Sequence, residues 1–323
     1  MNNLEKIVII AGASLVIGLS AAVFWPKPEV VVVDLRTVRI GRVGQSVSYA
    51  PFYVAKHNKK FEEAFGEYGY KVEYSTFTTP EEVNMAFLND QVDVVFQSDI
   101  VPVIMAKAQK IPVFIAQVTS TYQEQLMIPT DSTIKTVEEM RNRKVIVQKN
   151  TTNHYNLRKM LGVVGVTPND YDITEMPLRE AIAAMKEGSV DGWAVNSPYA
   201  ELGELNRYMR LLPKSEAKAY SIMVVRDAFK AQKSKAFVDL VNVLDEAKAW
   251  IPFNEITAIT ITAQELNMPV EVVRKAFWRH NWGAKLDESA VNIMQPFADF
   301  LREQKVIDDA VDIRGTLIKT NLE

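Results

Sequence analysis

Short apolar runs alternate with helical stretches along most of this chain, and that alternation restricts the fold more than any single residue does. Strand-like runs at Val38–Val43, Lys71–Phe77, Val92–Phe96 and Val113–Val118 are separated by helical patterns at Phe52–Phe65, Pro80–Asn89 and Ile100–Gln109. A strand–helix repeat of this kind builds a mostly parallel sheet with helices on both faces, because parallel neighbours need a long crossover. Glu124–Pro129 reads as a crossing strand. A second series follows: Val145–Val147, helix Asn153–Val164, Asp172–Met176, helix Leu178–Glu187, Asp191–Ala194 and helix Pro198–Arg207. Tyr220–Arg226 reads as a strand returning to the first module, and the rest is helical at Phe237–Trp250, Ile256–Leu266, Val270–Trp278 and Asp287–Lys305. The expected fold is α/β in two lobes, residues 37–122 with 224–323 and residues 123–223, each a mostly parallel sheet flanked by helices. A two-strand hinge joins them, and the C-terminal segment is helical.

The first 25 residues stand apart. Ile7–Phe24 carries no charge and would span about 27 Å as a helix, close to the hydrocarbon core of a bilayer. Lys6 precedes it, and Trp25, Pro26 and Pro28 follow. Ser20 and Ala22 suit signal-peptide cleavage, whereas the full-length run and Trp25 suit an uncleaved anchor. Either reading exports the folded part, with residues 26–36 as a tether. Cysteine is absent, which rules out disulfides, thiolate metal sites, cysteine nucleophiles and a lipid-modified N-terminus. The net charge is −3, with acids and bases interspersed; no basic stripe is available for nucleic acid.

In open α/β sheets, ligands bind beyond the carboxyl ends of the strands, at the starts of the following helices. Four such turns can be read. The richest is Lys149-Asn150-Thr151-Thr152-Asn153-His154. A helix start leaves N–H groups unpaired and carries about half a positive charge, so it attracts an anion. Two hydroxyls, two amides, an imidazole and a lysine with no carboxylate make this turn a candidate anion site. The others are Gln45–Tyr49 running into Pro51, Gln97-Ser98-Asp99, and Asn196-Ser197-Pro198-Tyr199, with Thr119–Tyr122 as a further polar strand end. Helix capping explains Ser48, Ser98, Asp99 or Ser197 taken singly, and Tyr49, Trp193 and Tyr199 are as readily packing residues as ligand walls. Their concentration at strand ends in both modules is what suggests a cleft. Candidate ligand contacts are therefore Gln45, Tyr49, Gln97, Ser98, Asp99, Thr119, Thr151, Thr152, His154, Trp193, Asn196 and Tyr199.

Catalytic constellations are poor. The three histidines, His57, His154 and His280, lack metal-ligand spacing, and the chain contains neither G-x-S-x-G nor a phosphate loop. Gly41-Arg42-Val43-Gly44 lacks the third glycine of a dinucleotide turn. No catalytic residue, metal or cofactor is expected.

Several blocks together resemble the substrate-binding proteins of aliphatic sulfonate, taurine and nitrate ABC importers. They are Val38–Gly41, Ala50–Lys56 (APFYVAK), Met85–Asp99, Ser132–Tyr155 and Ala181–Tyr199. The resemblance implies a two-lobed periplasmic-binding-protein fold that closes on a small solute and delivers it to a membrane permease. It also implies that Thr151–His154 hold an anionic head group, that Asn196–Tyr199 face it, and that Gln45–Tyr49 and Gln97–Asp99 close the other side. Where such proteins carry a small residue near Gln97–Asp99, this chain has an acid, which disfavours nitrate and favours a zwitterion or a polar neutral solute. A pyrimidine-precursor binder, a membrane-anchored sensor and an enzyme like thiamine-pyrimidine synthase remain open, the last against the missing cysteines.

Overall fold

The computed structural model describes residues 6–8, 32–34 and 36–318. Near the N-terminus, β1 (Lys6–Val8) pairs antiparallel with β2 (Val32–Asp34). Ile7 and Val8 of the uncharged run thus lie in a strand, and the remainder of Ile7–Phe24 lies outside the described residues, as do 26–31 and Leu35 of the expected tether. Among the described residues no helix is long and apolar enough to cross a membrane.

The first module comprises β3 (Thr37–Val43), α1 (Ala50–His57), α2 (Lys60–Gly66), β4 (Lys71–Phe77), α3 (Pro80–Leu88), β5 (Val94–Gln97) and α4 (Val101–Ala108). The long strand β6 (Val113–Pro129) leads into β7 (Lys144–Ile146), α5 (Thr152–Val163), β8 (Asp172–Thr174), α6 (Leu178–Glu187), β9 (Gly192–Val195) and α7 (Tyr199–Leu205). A second long strand, β10 (Met209–Arg226), returns to α8 (Asp227–Gln232), α9 (Ser234–Trp250), α10 (Glu255–Leu266), α11 (Val270–Phe277) and α12 (Glu288–Glu303). The eight strands β3–β10 form one sheet in the order β4-β3-β5-β10-β6-β9-β7-β8. Within each end block the pairing is parallel, while β10 pairs antiparallel with both β5 and β6. Two parallel three-stranded blocks are thus welded by one antiparallel pair that runs through both halves.

Two differences from the sequence pattern have local causes. The expected helix Phe52–Phe65 is two helices, because Lys59 adopts a left-handed φ of 55° between them and an L-residue cannot continue an α-helix from there. Thr119–Tyr122 is not a strand end. Val113–Val118 and Glu124–Pro129 are one continuous strand, whose polar middle crosses between the halves where apolar patterning is interrupted.

Burial explains why both end blocks are parallel. Ile40, Phe52, Phe96 and Leu240 pack on one face of the first half, and Ile104, Ile115, Met294 and Leu301 on the other. In the second half, Leu126, Val145 and Leu157 fill one face, and Met127, Ile146 and Met185 the opposite one. Leu126 and Met127 are adjacent in β6, so strand alternation sends them to different cores. Each fully buried side chain of this size contributes on the order of 2 kcal/mol. Gly41 in β3 is required by a close approach: a Cβ there would lie 2.5 Å from the Phe77 ring.

Candidate functional site

Helix α5 begins where the two halves meet. Thr151 is its N-cap: Oγ1 accepts from His154 N at 3.3 Å and donates to Gln148 O at 2.7 Å. Asn150 has a φ of 58°, and its N–H donates to His154 Nδ1 at 3.1 Å, closing the turn. That bond makes His154 an Nδ1 acceptor, so its ring proton sits on Nε2. Burial, with Arg158 nearby, pushes the imidazole down to about 4, and the ring packs edge-on against Phe300 of α12 at 5.2 Å. His154 is a neutral clip for the turn.

The anion expected at this helix start is supplied by the protein. Asp99, at the end of β5 in the first half, accepts from Thr152 N at 3.2 Å and from Thr152 Oγ1, while also accepting from Val101 N at 2.8 Å. One carboxylate therefore serves the starts of both α4 and α5. Burial raises the Asp99 pKa, and the Thr152 hydroxyl and the N–H donors oppose that rise. A half-charge at the helix terminus and donors from two helices suit a carboxylate here.

A second buried acid lies beside it. Glu124 of β6 is 2% exposed and accepts from Asn156 Nδ2 at 2.5 Å. The Asn153 carboxamide, oriented with its nitrogen toward the acid, donates to both carboxylate oxygens at 3.1 and 3.2 Å. Desolvation drives the Glu124 pKa up to about 8; Asp99 adds to the rise, and the Asn156 and Tyr122 hydrogen bonds oppose it. At neutral pH the group is mostly protonated. Sequence reasoning missed it, although its flanking glutamines, Gln123-Glu124-Gln125, mark a polar break in the crossing strand.

Around these acids, hydrogen bonds converge from both halves. Tyr49 Oη donates to Val43 O at 2.9 Å and accepts from Ser98 N at 2.8 Å; burial raises its phenol to about 12. Tyr122 Oη donates to Ser98 O. His280 is sandwiched by Trp282 at 5.0 Å and Tyr122 at 5.7 Å. Its Nδ1 donates to Ala276 O at 2.8 Å, so Nε2 accepts from Ser48 Oγ at 3.1 Å. Burial holds this imidazole also at about 4, with Arg279 adding to the depression. The neighbouring Arg279 crosses to the second half, donating to Glu201 at 2.6 Å and Glu204 at 3.0 Å on α7 and to Gln125 of β6 at 3.1 Å. The C-terminal loop was not marked by its sequence because its residues are distant in the chain from the turns they touch.

The expected residues separate into groups. Trp193, Asn196 and Tyr199 line a cavity of about 600 Å3 at the ends of β7, β8 and β9, together with Gln148, Asn153 and Glu175. Tyr49 and Ser98 are bonded to each other and to Tyr122 within the first half, Asp99 alone of these meets the second half, through Thr152, and Thr151 and His154 build the α5 turn. Gln97 and Thr119 are buried within the sheet, where Thr119 Oγ1 donates to Ser221 Oγ at 2.7 Å and Ser221 Oγ donates to Gln97 O at 3.0 Å. Gln45 is exposed. Ser197 does not cap α7; its Oγ donates to Glu201 at 2.9 Å. Among the described residues no group of three or more His, Cys, Asp or Glu side chains could hold a metal ion.

The fold is shared with known proteins. The chain is 27% identical over 301 residues to a Bacillus subtilis (strain 168) protein whose name assigns it to aliphatic sulfonate binding, covering 90% of this chain and 89% of that one. An Escherichia coli (strain K12) protein of the same name is 23% identical over 279 residues, 84% and 86% of the two chains. Both relatives are named as binding proteins, not enzymes. The crystal structure of the periplasmic aliphatic sulphonate binding protein SsuA from Escherichia coli superposes with a TM-score of 0.77 at 20% identity, covering 88% of this chain and 92% of that one. Residues 46–251 match the family model described as NMT1/THI5 like, and the chain belongs to that family.

Proposed function

We propose that this protein is the extracytoplasmic solute-binding component of an ABC importer, taking a small polar solute into a cleft between lobes 37–122 plus 224–323 and 123–223. The observation that carries the reading is the α5 start, where an anion-seeking helix terminus of one half is met by Asp99 of the other. The names of the relatives support a sulfonate, and the cavity beside Asn153, bounded by Trp193 and Tyr199, is of a size for a small solute. A simple sulfonate must displace Asp99 from Thr152, whereas an amine-bearing sulfonate such as taurine gives the displaced carboxylate a partner. β6 and β10 serve as the hinge, lobe closure excludes water, and a membrane permease receives the solute. If the Ile7–Phe24 run is retained as an anchor, it keeps the domain near that permease.

The test is thermal shift across taurine, alkanesulfonates, nitrate, amino acids and pyrimidines. A ligand at 100 times its Kd stabilises by about 2.7 kcal/mol, several degrees for a protein of this size. We expect a shift with taurine that exceeds the shift with nitrate, and that Asp99→Asn weakens taurine while sparing simple alkanesulfonates. No shift across the panel overturns the solute reading; a shift with pyrimidines alone overturns the sulfonate.

A further inference from the structure

A cavity of about 560 Å3 lies away from the cleft, between the back of the second half and α12. Its floor is apolar, from Val137, Met160, Val164, Ala217 and Ile293, and Val163 at its edge is 83% exposed. Lys135, Lys159, Lys214 and Lys218 surround that floor, against Glu138 and Glu216. Among the described residues none of the four is in a salt bridge within 4.0 Å; Glu138 feels the charge of Lys214, and Lys218 lies over the Tyr220 ring at 5.1 Å, which leaves Lys135 and Lys159 the least engaged.

The backbone is shaped to deliver part of this charge. The pairing of β10 with β6 breaks between Leu211 and Glu216. Ser215 Oγ ties the looped segment down through Leu212 O at 2.6 Å and Leu126 O at 3.2 Å. Leu212 and Ser215 are fully buried, so the pair Pro213-Lys214 is pushed outward to the cavity wall, with Lys214 at a φ of 63°. A lysine in that left-handed conformation is unfavourable without a compensating constraint. The volume falls in the range of small-molecule pockets, and an apolar floor edged by four lysines against two glutamates complements one ligand chemistry.

We infer that this cavity is a second binding site, distinct from the cleft, for a small amphipathic anion: an aromatic or aliphatic body with a sulfonate, carboxylate or phosphate head. The body lies over Val137, Met160 and Val164, and the head meets Lys159 and Lys214. The cavity also borders both α5 and α12, so its occupant contacts the same helix whose start closes the cleft.

Anilinonaphthalene sulfonate, titrated by fluorescence into the full chain, tests the inference, with uncharged anilinonaphthalene as the matched body without the head. The sulfonate should bind more tightly than the neutral compound, and its affinity should fall as salt is raised, because exposed cations are screened. Lys159→Ala combined with Lys214→Ala should weaken the sulfonate roughly tenfold and leave the neutral compound unchanged. Equal affinity for the two compounds, insensitivity to salt, or unchanged binding in the lysine pair overturns the site. The salt series uses the wild-type chain and is independent of how the variants fold.

Discussion

Glu124 shows how much a single residue's chemistry depends on its surroundings. Its carboxyl is buried among Asn153, Asn156 and Tyr122, near Asp99, and desolvation moves its pKa from 4.5 to about 8. Below about pH 4.5 the group is neutral in both folded and unfolded chains. Between there and pH 8 the folded chain keeps the proton that the unfolded chain releases, so this residue's contribution to stability falls as pH rises and levels off above 8. Glu124→Gln retains a neutral polar group of the same shape, and its stability relative to wild type should rise between pH 5 and pH 9. Melting both proteins at pH 5, 7 and 9 checks this; parallel curves would refute it. The two carboxamide donors to Glu124, Asn153 and Asn156, sit on α5 and reach it only when that helix packs on β6, which is why its triplet signal in the sequence carried no hint of a shifted pKa.

At the scale of elements, α5 behaves largely as its residues dictate. Thr151 was legible as a cap, and the structure adds its second bond to Gln148 O. Thr151→Ala removes the acceptor for His154 N and should cost about 1 kcal/mol, read as a lower urea midpoint with an unchanged slope. The chemistry of the turn was legible too, in that it attracts an anion. Which anion was not: Asp99 is 53 residues away. The outer strands were visible as apolar runs. The unity of β6 was not, because its polar middle, Thr119–Gln125, breaks the apolar pattern where the strand passes between cores.

For the whole molecule, contacts across the halves determine the observed arrangement. Tyr155 packs on Phe297 at 4.5 Å and on Phe300 at 5.5 Å, and Arg158 pairs with Glu303 at 3.2 Å. On the other side, Arg279 holds Glu201, whose side chain is fully buried. Arg279→Ala strands that carboxylate and should destabilise the fold by about 3–5 kcal/mol. Adding Glu201→Gln should recover much of the loss, because the uncompensated charge is then gone. Chemical denaturation of the single and double variants checks this, and equal stabilities of the two would refute the charge argument.

The sequence by itself determined the α/β class, most strand and helix positions, and the α5 start as an anion-seeking turn. Those properties follow from periodicity, capping and the helix dipole, which depend on neighbours along the chain. Only the tertiary structure decided that Asp99 occupies that turn, that Glu124 is a neutral buried acid, and that His280 and Arg279 join the junction. Burial and partner identity arise from the pairing of β6 with β10 and from the return of the C-terminal helices. No local pattern encodes which distant side chain arrives.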